Sequence, residues 1–371
     1  MTWMKLARIA IKTALFFALC NVTFAATGAL DWLNGVSLHN LILPGRARLP
    51  YGENPAQSYS LSPDTLTAMF ATHRLRQPKA PDEYRVVLIG DSGVWGWLLS
   101  TGETLDAALN DLDLRAAGSR RMVFYNLAYP IQAALKDLML LDEAAHYAPD
   151  AVIWFTTLDG FPRDKQVYPP LVQRNPERAR ELIRRYTLAL DPADARFVED
   201  GGWWDRTIFG ARRQIADWLR LQVFALAWTA TGVDQAVTEV QPVQVDQDAD
   251  LTWNGIDAPR DLTRQDLALE VLAAGAARAE SAGAALLIVN EPIFITPGAN
   301  GDVRYNSWYP RWAYDSYRAL LAAECADRGW TCLDLWDAVP SDQFTDSPVH
   351  LTASGWQIVT QAVANQIGSM P

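Results

Sequence analysis

Val87-Leu88-Ile89-Gly90-Asp91-Ser92-Gly93-Val94-Trp95-Gly96-Trp97 decides how the rest of the chain is read. The run from Arg85 to Ile89 is continuously apolar and β-branched, the pattern of a strand buried on both faces of a parallel sheet. It breaks into Gly-Asp-Ser-Gly, where two glycines permit backbone angles that other residues avoid. A serine on a tight turn between a strand and a helix stands clear of the sheet, with helix N-terminal amides near enough to steady an oxyanion. The alternative at such a turn is a serine or aspartate that only caps the helix.

Outward from that turn the chain alternates. Helix 105–112, strand 122–125, helix 133–146 and strand 151–155 follow on one side; helix 263–282, strand 285–290, helix 314–327, strand 331–335 and a closing helix from Trp356 follow later. Strands separated by helices of this length predict an α/β protein, a three-layer α/β/α sandwich around a parallel sheet. Ligands of such sheets sit at the carboxyl ends of the strands, so the loops after Ile89, Tyr125 and Phe155 are expected on one rim.

Three segments stand outside this rhythm. Lys5, Arg8 and Lys12 precede a run from Thr13 to Leu30 that carries no charge, a pattern of export. Thr23-Phe24-Ala25 is a passable cleavage site for a signal peptide, whereas counted from Ile9 the run is long enough for an uncleaved anchor. Thr at the first cleavage position favours the anchor over residues 1–32. Residues 33–81, rich in Pro and Gly, read as an extended arm with a short helix near Leu66–His73; Arg46 and Arg48 on it read as solvated or as contacts to lipid headgroups or an acidic patch. Residues 166–262 read as a mainly helical insertion, in which Asn175 caps a charged helix and Arg206–Thr229 forms a long apolar one that packs on the core or grazes the membrane. The α/β domain itself is then 82–165 with 263–371.

The chain has 371 residues and a formal net charge of −11. That excess of acid argues against nucleic acid as a partner. Three scattered cysteines and no paired histidines argue for no metal site and no cofactor. Cys325 and Cys332 flank a helix-to-strand turn and are read either as a disulfide or as two buried thiols. A strand-borne serine needs a base and a group to orient it. Of the histidines, His39 lies in the arm, His73 among charges and His146 near a helix end. His350 lies just before the last helix with Asp346 four residues earlier, and a short loop of this kind can set the carboxylate on one imidazole nitrogen and leave the other for Ser92. Among the fifteen tryptophans, Trp95 and Trp97, with Trp308 and Trp312, suit stacking on sugar rings.

This pattern resembles the SGNH/GDSL hydrolase superfamily. Gly90-Asp91-Ser92 matches its first block, Asn126-Leu127-Ala128-Tyr129-Pro130-Ile131 its second, the rim after Phe155 its third, and Asp346 with His350 its last. The resemblance covers about 82–165 and 263–368 and implies an SGNH/flavodoxin-like fold. It implies two-step acyl transfer with Ser92 as nucleophile, His350 as base and Asp346 as its orienting acid. The oxyanion site falls on Ser92, Ile131 and Asn126. Three departures stand out. Asp346 and His350 have one residue more between them than the family's pair, leaving Ser347 at the usual aspartate position unless Pro348 bulges the loop. Ile131 replaces a glycine that lends its amide. Asp159 falls where the family has a donating asparagine, so a hydroxyl from Thr156 or Thr157 is expected instead. The resemblance implies an extracytoplasmic esterase or deacetylase acting on an ester or O-acylated carbohydrate. An O-acyltransferase of an envelope polysaccharide and a non-catalytic glycan-binding protein are the alternatives.

Overall fold

The computed structural model describes residues 3–51, 65–199, 201–231, 234 and 240–368. Residues 52–64 of the expected arm and 235–239 of the insertion lie outside the described residues. The chain opens with helices α1 (Trp3–Ala26), α2 (Ala29–Asn34), α3 (Leu38–Ile42) and α4 (Leu66–Thr72). Then come β1 (Glu83–Ile89), α5 (Ser92–Trp95), α6 (Leu105–Asp111), β2 (Arg121–Asn126), α7 (Ala134–Ala144) and β3 (Ala151–Thr156). Helices α8 (Pro170–Gln173), α9 (Pro176–Arg185) and α10 (Arg212–Thr231) follow. The last elements are α11 (Glu270–Ser281), β4 (Ala285–Asn290), α12 (Arg311–Arg328), β5 (Thr331–Asp334) and α13 (Ala353–Ile367).

All strand pairs are parallel, in the order β2-β1-β3-β4-β5. Val86 to Ile89 and Val152 to Phe155 are buried without alternation, because helices cover both faces of the sheet. Helix α7 packs against α11, and α6 packs against α13. The registers set Leu88 beside Asn126, Ile89 beside Trp154 and Thr156 beside Asn290, so the strands end level. From β1 the chain steps out to β2 and returns past β1 to β3. The loops after β1 and β3 therefore part from one another at the point where the strand order reverses, and Ser92 follows the first of them.

Two helices start later than their apolar pattern predicts. The segment before α10 is held in a turn by the Thr207 hydroxyl, which accepts from the Gly210 amide at 3.0 Å. Ahead of α11, Leu267 bridges to Pro162 and the Ala268 amide donates to the Phe161 carbonyl, so these residues pair with the chain after β3 instead of coiling. Asn175 does not cap α9 with its side chain; its oxygen accepts from the Leu66 amide at 3.4 Å, at the start of α4.

The arm is wound onto the body. Arg46 and Arg48, read from the sequence as solvated or as contacts to lipid headgroups or an acidic patch, are fully buried. Arg48 Nε donates to Asp234 Oδ2 at 2.7 Å, and its Nη1 donates to the carbonyls of Gly96 at 2.7 Å and Leu99 at 3.2 Å. Its guanidinium lies 4.4 Å from the Trp95 ring centroid. A planar fork with five donors can satisfy a carboxylate and several carbonyls at once, which makes its burial tolerable. Residues of the arm and of the insertion thus meet beneath the loop that follows α5. Cys325 and Cys332 form a disulfide.

Candidate active site

Asp91 follows β1 by two residues and caps α5, its carboxylate accepting from the Gly93 amide at 2.8 Å. The capping role expected of either residue at this turn falls to Asp91, and the Ser92 hydroxyl is left for another partner. His350 Nε2 lies 2.7 Å from Ser92 Oγ, across 258 positions of chain. Gly93 permits this approach: a Cβ there would stand 2.6 Å from the Val349 carbonyl oxygen, so any larger residue would push His350 away.

His350 Nδ1 lies 2.8 Å from Asp346 Oδ1. The loop closes on itself through the Thr345 amide, which donates to the His350 carbonyl at 2.9 Å, and through the Phe344–Leu351 bridge. This closure takes up the extra residue between Asp346 and His350. The other Asp346 oxygen accepts from the Trp97 indole N–H at 3.1 Å, and the Thr345 hydroxyl donates to Oδ1 at 3.1 Å. Burial alone would raise the Asp346 carboxyl, but the hydrogen bond and charge of His350 hold it below its ordinary value. A carboxylate kept ionised against one imidazole nitrogen fixes the tautomer that leaves the other free to accept a proton.

Among the described residues, the backbone N–H groups of Ser92 and Ile131 find no protein acceptor. Ile131 has φ +72°, a left-handed conformation that costs a β-branched residue about 1–3 kcal/mol. The surroundings hold it there. The Tyr129 amide donates to the Gly90 carbonyl at 3.1 Å. Lys136, fully buried on α7, donates to the same carbonyl at 2.9 Å and also to that of Tyr129. The Gln132 amide bridges the Asp91 carboxylate and Glu291. Burial, reinforced by the Asp91 charge, pushes the Glu291 carboxyl well up. These ties clamp the end of β1 to the end of β2, and with them the two free amides.

Other expected site residues are placed elsewhere. Asn126 is buried; its amide donates to the Val94 carbonyl at 2.9 Å and to Asp106 at 3.1 Å, so it buttresses α5 and presents nothing to a substrate. Trp95 is fully buried, its indole donating to the Leu49 carbonyl at 2.9 Å, and so cannot line a substrate groove. Trp97 is half-buried, its ring centroid 6.0 Å from that of His350. Thr157 donates to the Tyr309 hydroxyl at 3.4 Å, so this expected hydroxyl donor serves a buried tyrosine, and Thr156 is buried at the end of β3. Asp159 pairs with Lys165. Burial pushes its carboxyl up, and the Lys165 ammonium offsets only part of that rise. His39 and His73 are buried away from Ser92, and His146 is exposed. No cluster of metal-ligating side chains occurs among the described residues.

Sequence reasoning missed Lys136, Gln132 and Glu291, and the hold of Trp97 on Asp346. A lysine inside the apolar stripe Ala134-Leu135-Lys136-Asp137-Leu138 was the one available signal, because a charge there must find buried partners.

No family model matches the chain, and no curated protein matches it. Several solved structures are similar to it at low identity. The psychrotrophic esterase EstA from Pseudoalteromonas sp. shares 10% identity over 76% of this chain and 96% of its own, with a TM-score of 0.38. A GDSL-like lipase from Bacteroides thetaiotaomicron VPI-5482 shares 10% over 78% and 90%, with a TM-score of 0.36. Est24, a carbohydrate acetylesterase from Sinorhizobium meliloti, shares 12% over 76% and 97%, with a TM-score of 0.33. Likeness at this level carries no weight for the chemistry, which rests on the contacts of Ser92, His350 and Asp346.

Proposed function

We propose that the protein is a serine esterase or deacetylase of the SGNH type, anchored in a membrane by α1 with its body outside the cytoplasm. The observation that carries the chemistry is the chain of contacts from Ser92 Oγ through His350 to Asp346, 2.7 Å and 2.8 Å long. His350 Nε2 takes the proton of Ser92 as Oγ attacks the carbonyl carbon of an O-acyl ester. The amides of Ser92 and Ile131 hold the resulting oxyanion. His350 then gives the proton to the leaving alcohol, and an acyl-serine remains. Water, deprotonated by His350, attacks that ester and releases the carboxylic acid and free Ser92. Asp346 and Trp97 keep the imidazole in place through both halves.

The reading as a non-catalytic glycan-binding protein drew on the departures at Asp346 and Asp159. The Asp346–His350 contact removes the first motive, and two free amides make the second less weighty. The location rests on α1, a helix of 24 residues whose most apolar 18-residue stretch has a mean hydropathy of 1.8. The basic residues at its start favour the cytoplasmic side for that end. The Cys325–Cys332 disulfide suits an oxidising compartment.

The test is labelling by a fluorophosphonate probe, followed by hydrolysis of p-nitrophenyl acetate with and without an oligosaccharide acceptor. Labelling and hydrolysis that vanish in Ser92→Ala are expected. A folded wild type that takes no label overturns the catalytic reading. Acylation of the acceptor in preference to water would turn the hydrolase into a transferase that uses the same triad.

A further inference from the structure

Part of the exposed apolar surface outside α1 lies around the C-terminal end of that helix; Leu41 and Ile42 on α3 and Val223 on α10 carry more of it. Trp32 on α2 is 68% exposed, and Trp203, Trp204 and Phe209 ahead of α10 are 53%, 56% and 47% exposed. Ile208 joins them, and both α2 and the turn at Trp204–Arg206 pack on α1. A soluble body rarely leaves so many large aromatics in one patch without something to cover it.

One hydrogen bond fixes the height of this patch along α1. Asn21, in the uncharged C-terminal part of α1, is the residue of that helix that is buried. Its Nδ2 donates to the Phe17 carbonyl at 2.9 Å, and its Oδ1 accepts from the Phe209 amide at 2.9 Å. Both polar ends are thus satisfied within the protein, as hydrocarbon requires. Phe209 is held level with residue 21, about 7.5 Å before α1 ends at Ala26. Just past that end the surroundings turn polar, in a cleft of about 520 Å³ lined by Thr27, Asp31, Arg174, Asp205 and Arg206 among others. Arg212 lies 4.7 Å over the Phe209 ring, so its charged head lies against the aromatic patch. Aromatic residues level with the last turns of an apolar helix, polar groups just beyond and a cation between them reproduce the profile of a lipid–water boundary.

We propose that residues 203–209, together with Trp32, form a collar that enters the lipid–water interface around α1, docking the body on the bilayer. The occupant of the patch is lipid because the patch is continuous with the exposed apolar surface of α1, including Phe16, Phe17 and Val22. The inference rests on the membrane-anchored reading above.

The experiment uses the full chain with Cys20→Ser and its disulfide intact, reconstituted alone in phosphatidylcholine–phosphatidylglycerol vesicles containing nitroxide-bearing lipid. Trp204→Cys, Phe16→Cys and Ile358→Cys each carry an environment-sensitive fluorophore. Fluorophosphonate labelling of Ser92, unchanged in each, reports an intact fold. Labels at 16 and 204 are expected to be quenched several-fold by the nitroxide lipid, while the label at 358, on α13, answers only to aqueous iodide. A label at 204 that answers to iodide while that at 16 answers to lipid overturns the collar and leaves the anchor standing. A label at 204 shielded from both quenchers overturns it in favour of a second copy of the chain. A label at 16 insensitive to lipid overturns the anchor, and the collar with it.

Discussion

Ile131 carries a sharp local contradiction, a β-branched side chain at φ +72° in the loop after β2. The strain is tolerable because the contribution asked of this position is an amide and not a side chain. Ile131→Gly should therefore keep kcat/KM within about twofold, since glycine adopts this backbone freely. Ile131→Pro removes the N–H and forces φ negative, and should lower kcat by about 10²–10³-fold. Kinetics with p-nitrophenyl acetate, with circular dichroism as a check on folding, decide the matter; equal activity in both variants would take Ile131 out of the oxyanion site. At this scale Ser92, His350 and Asp346 could be named from the sequence because each is a short, chemically distinctive word. Asn126, Trp95, Thr156 and Thr157 were named for the wrong surroundings. Residue type says what a side chain can donate, and only packing says to whom.

Among the elements, the turn from β1 into α5 and the loop before α13 come from opposite ends of the chain and meet at Gly93. A Cβ there would press on the Val349 backbone at 2.6 Å, and that backbone carries the next residue, His350. Gly93→Ala should lower kcat at least roughly tenfold with little change in KM, because a displaced base spoils the reacting geometry more than binding. Gly102→Ala, where a Cβ meets nothing within 4 Å, serves as the control. Steady-state kinetics on both variants test this; full activity in Gly93→Ala would show that the loop yields freely. The strands and most helices were legible because apolar runs and helical periods are local signals. The late starts of α10 and α11 were not, since a side-chain turn at Thr207 and a bridge from Leu267 to Pro162 override the pattern.

For the molecule as a whole, buried ionisable groups set the response to acid. His73 is fully buried between Ala47 and Leu75, its Nε2 2.9 Å from the Ala47 carbonyl and its Nδ1 accepting from the Leu75 amide at 3.0 Å. Burial, with the Arg74 charge acting in the same direction, pushes its pKa down to about 3. An unfolded chain takes that proton near the ordinary value of 6.5. Between these values the unfolded state binds more protons, so His73 withdraws stability as pH falls, by up to about 1.4 kcal/mol per pH unit. Asp137, pushed up to about 6 by burial against the pull of Lys136, works in the opposite sense below that pH and makes the wild-type slope shallower. His73→Gln should flatten the loss of stability between pH 6 and pH 4 in urea unfolding. Parallel curves for the two proteins would show that His73 is not what the acid attacks.

The sequence by itself determined the layered α/β order, the Gly-Asp-Ser turn after β1, the histidine before the last helix and the apolar helix at the start, because each is written in contiguous residues or a short repeat. Only the tertiary structure decided that the arm is wound onto the body and that Arg48 and Asp234 meet beneath the loop after α5. It also decided that Lys136, Gln132 and Glu291 lock the two strand ends together, and that Trp97 holds Asp346. Those contacts join positions far apart in the chain. A buried charge or amide shows in a sequence only as a polar letter, and which partner offsets its desolvation is fixed when the sheet closes and brings the strand ends level.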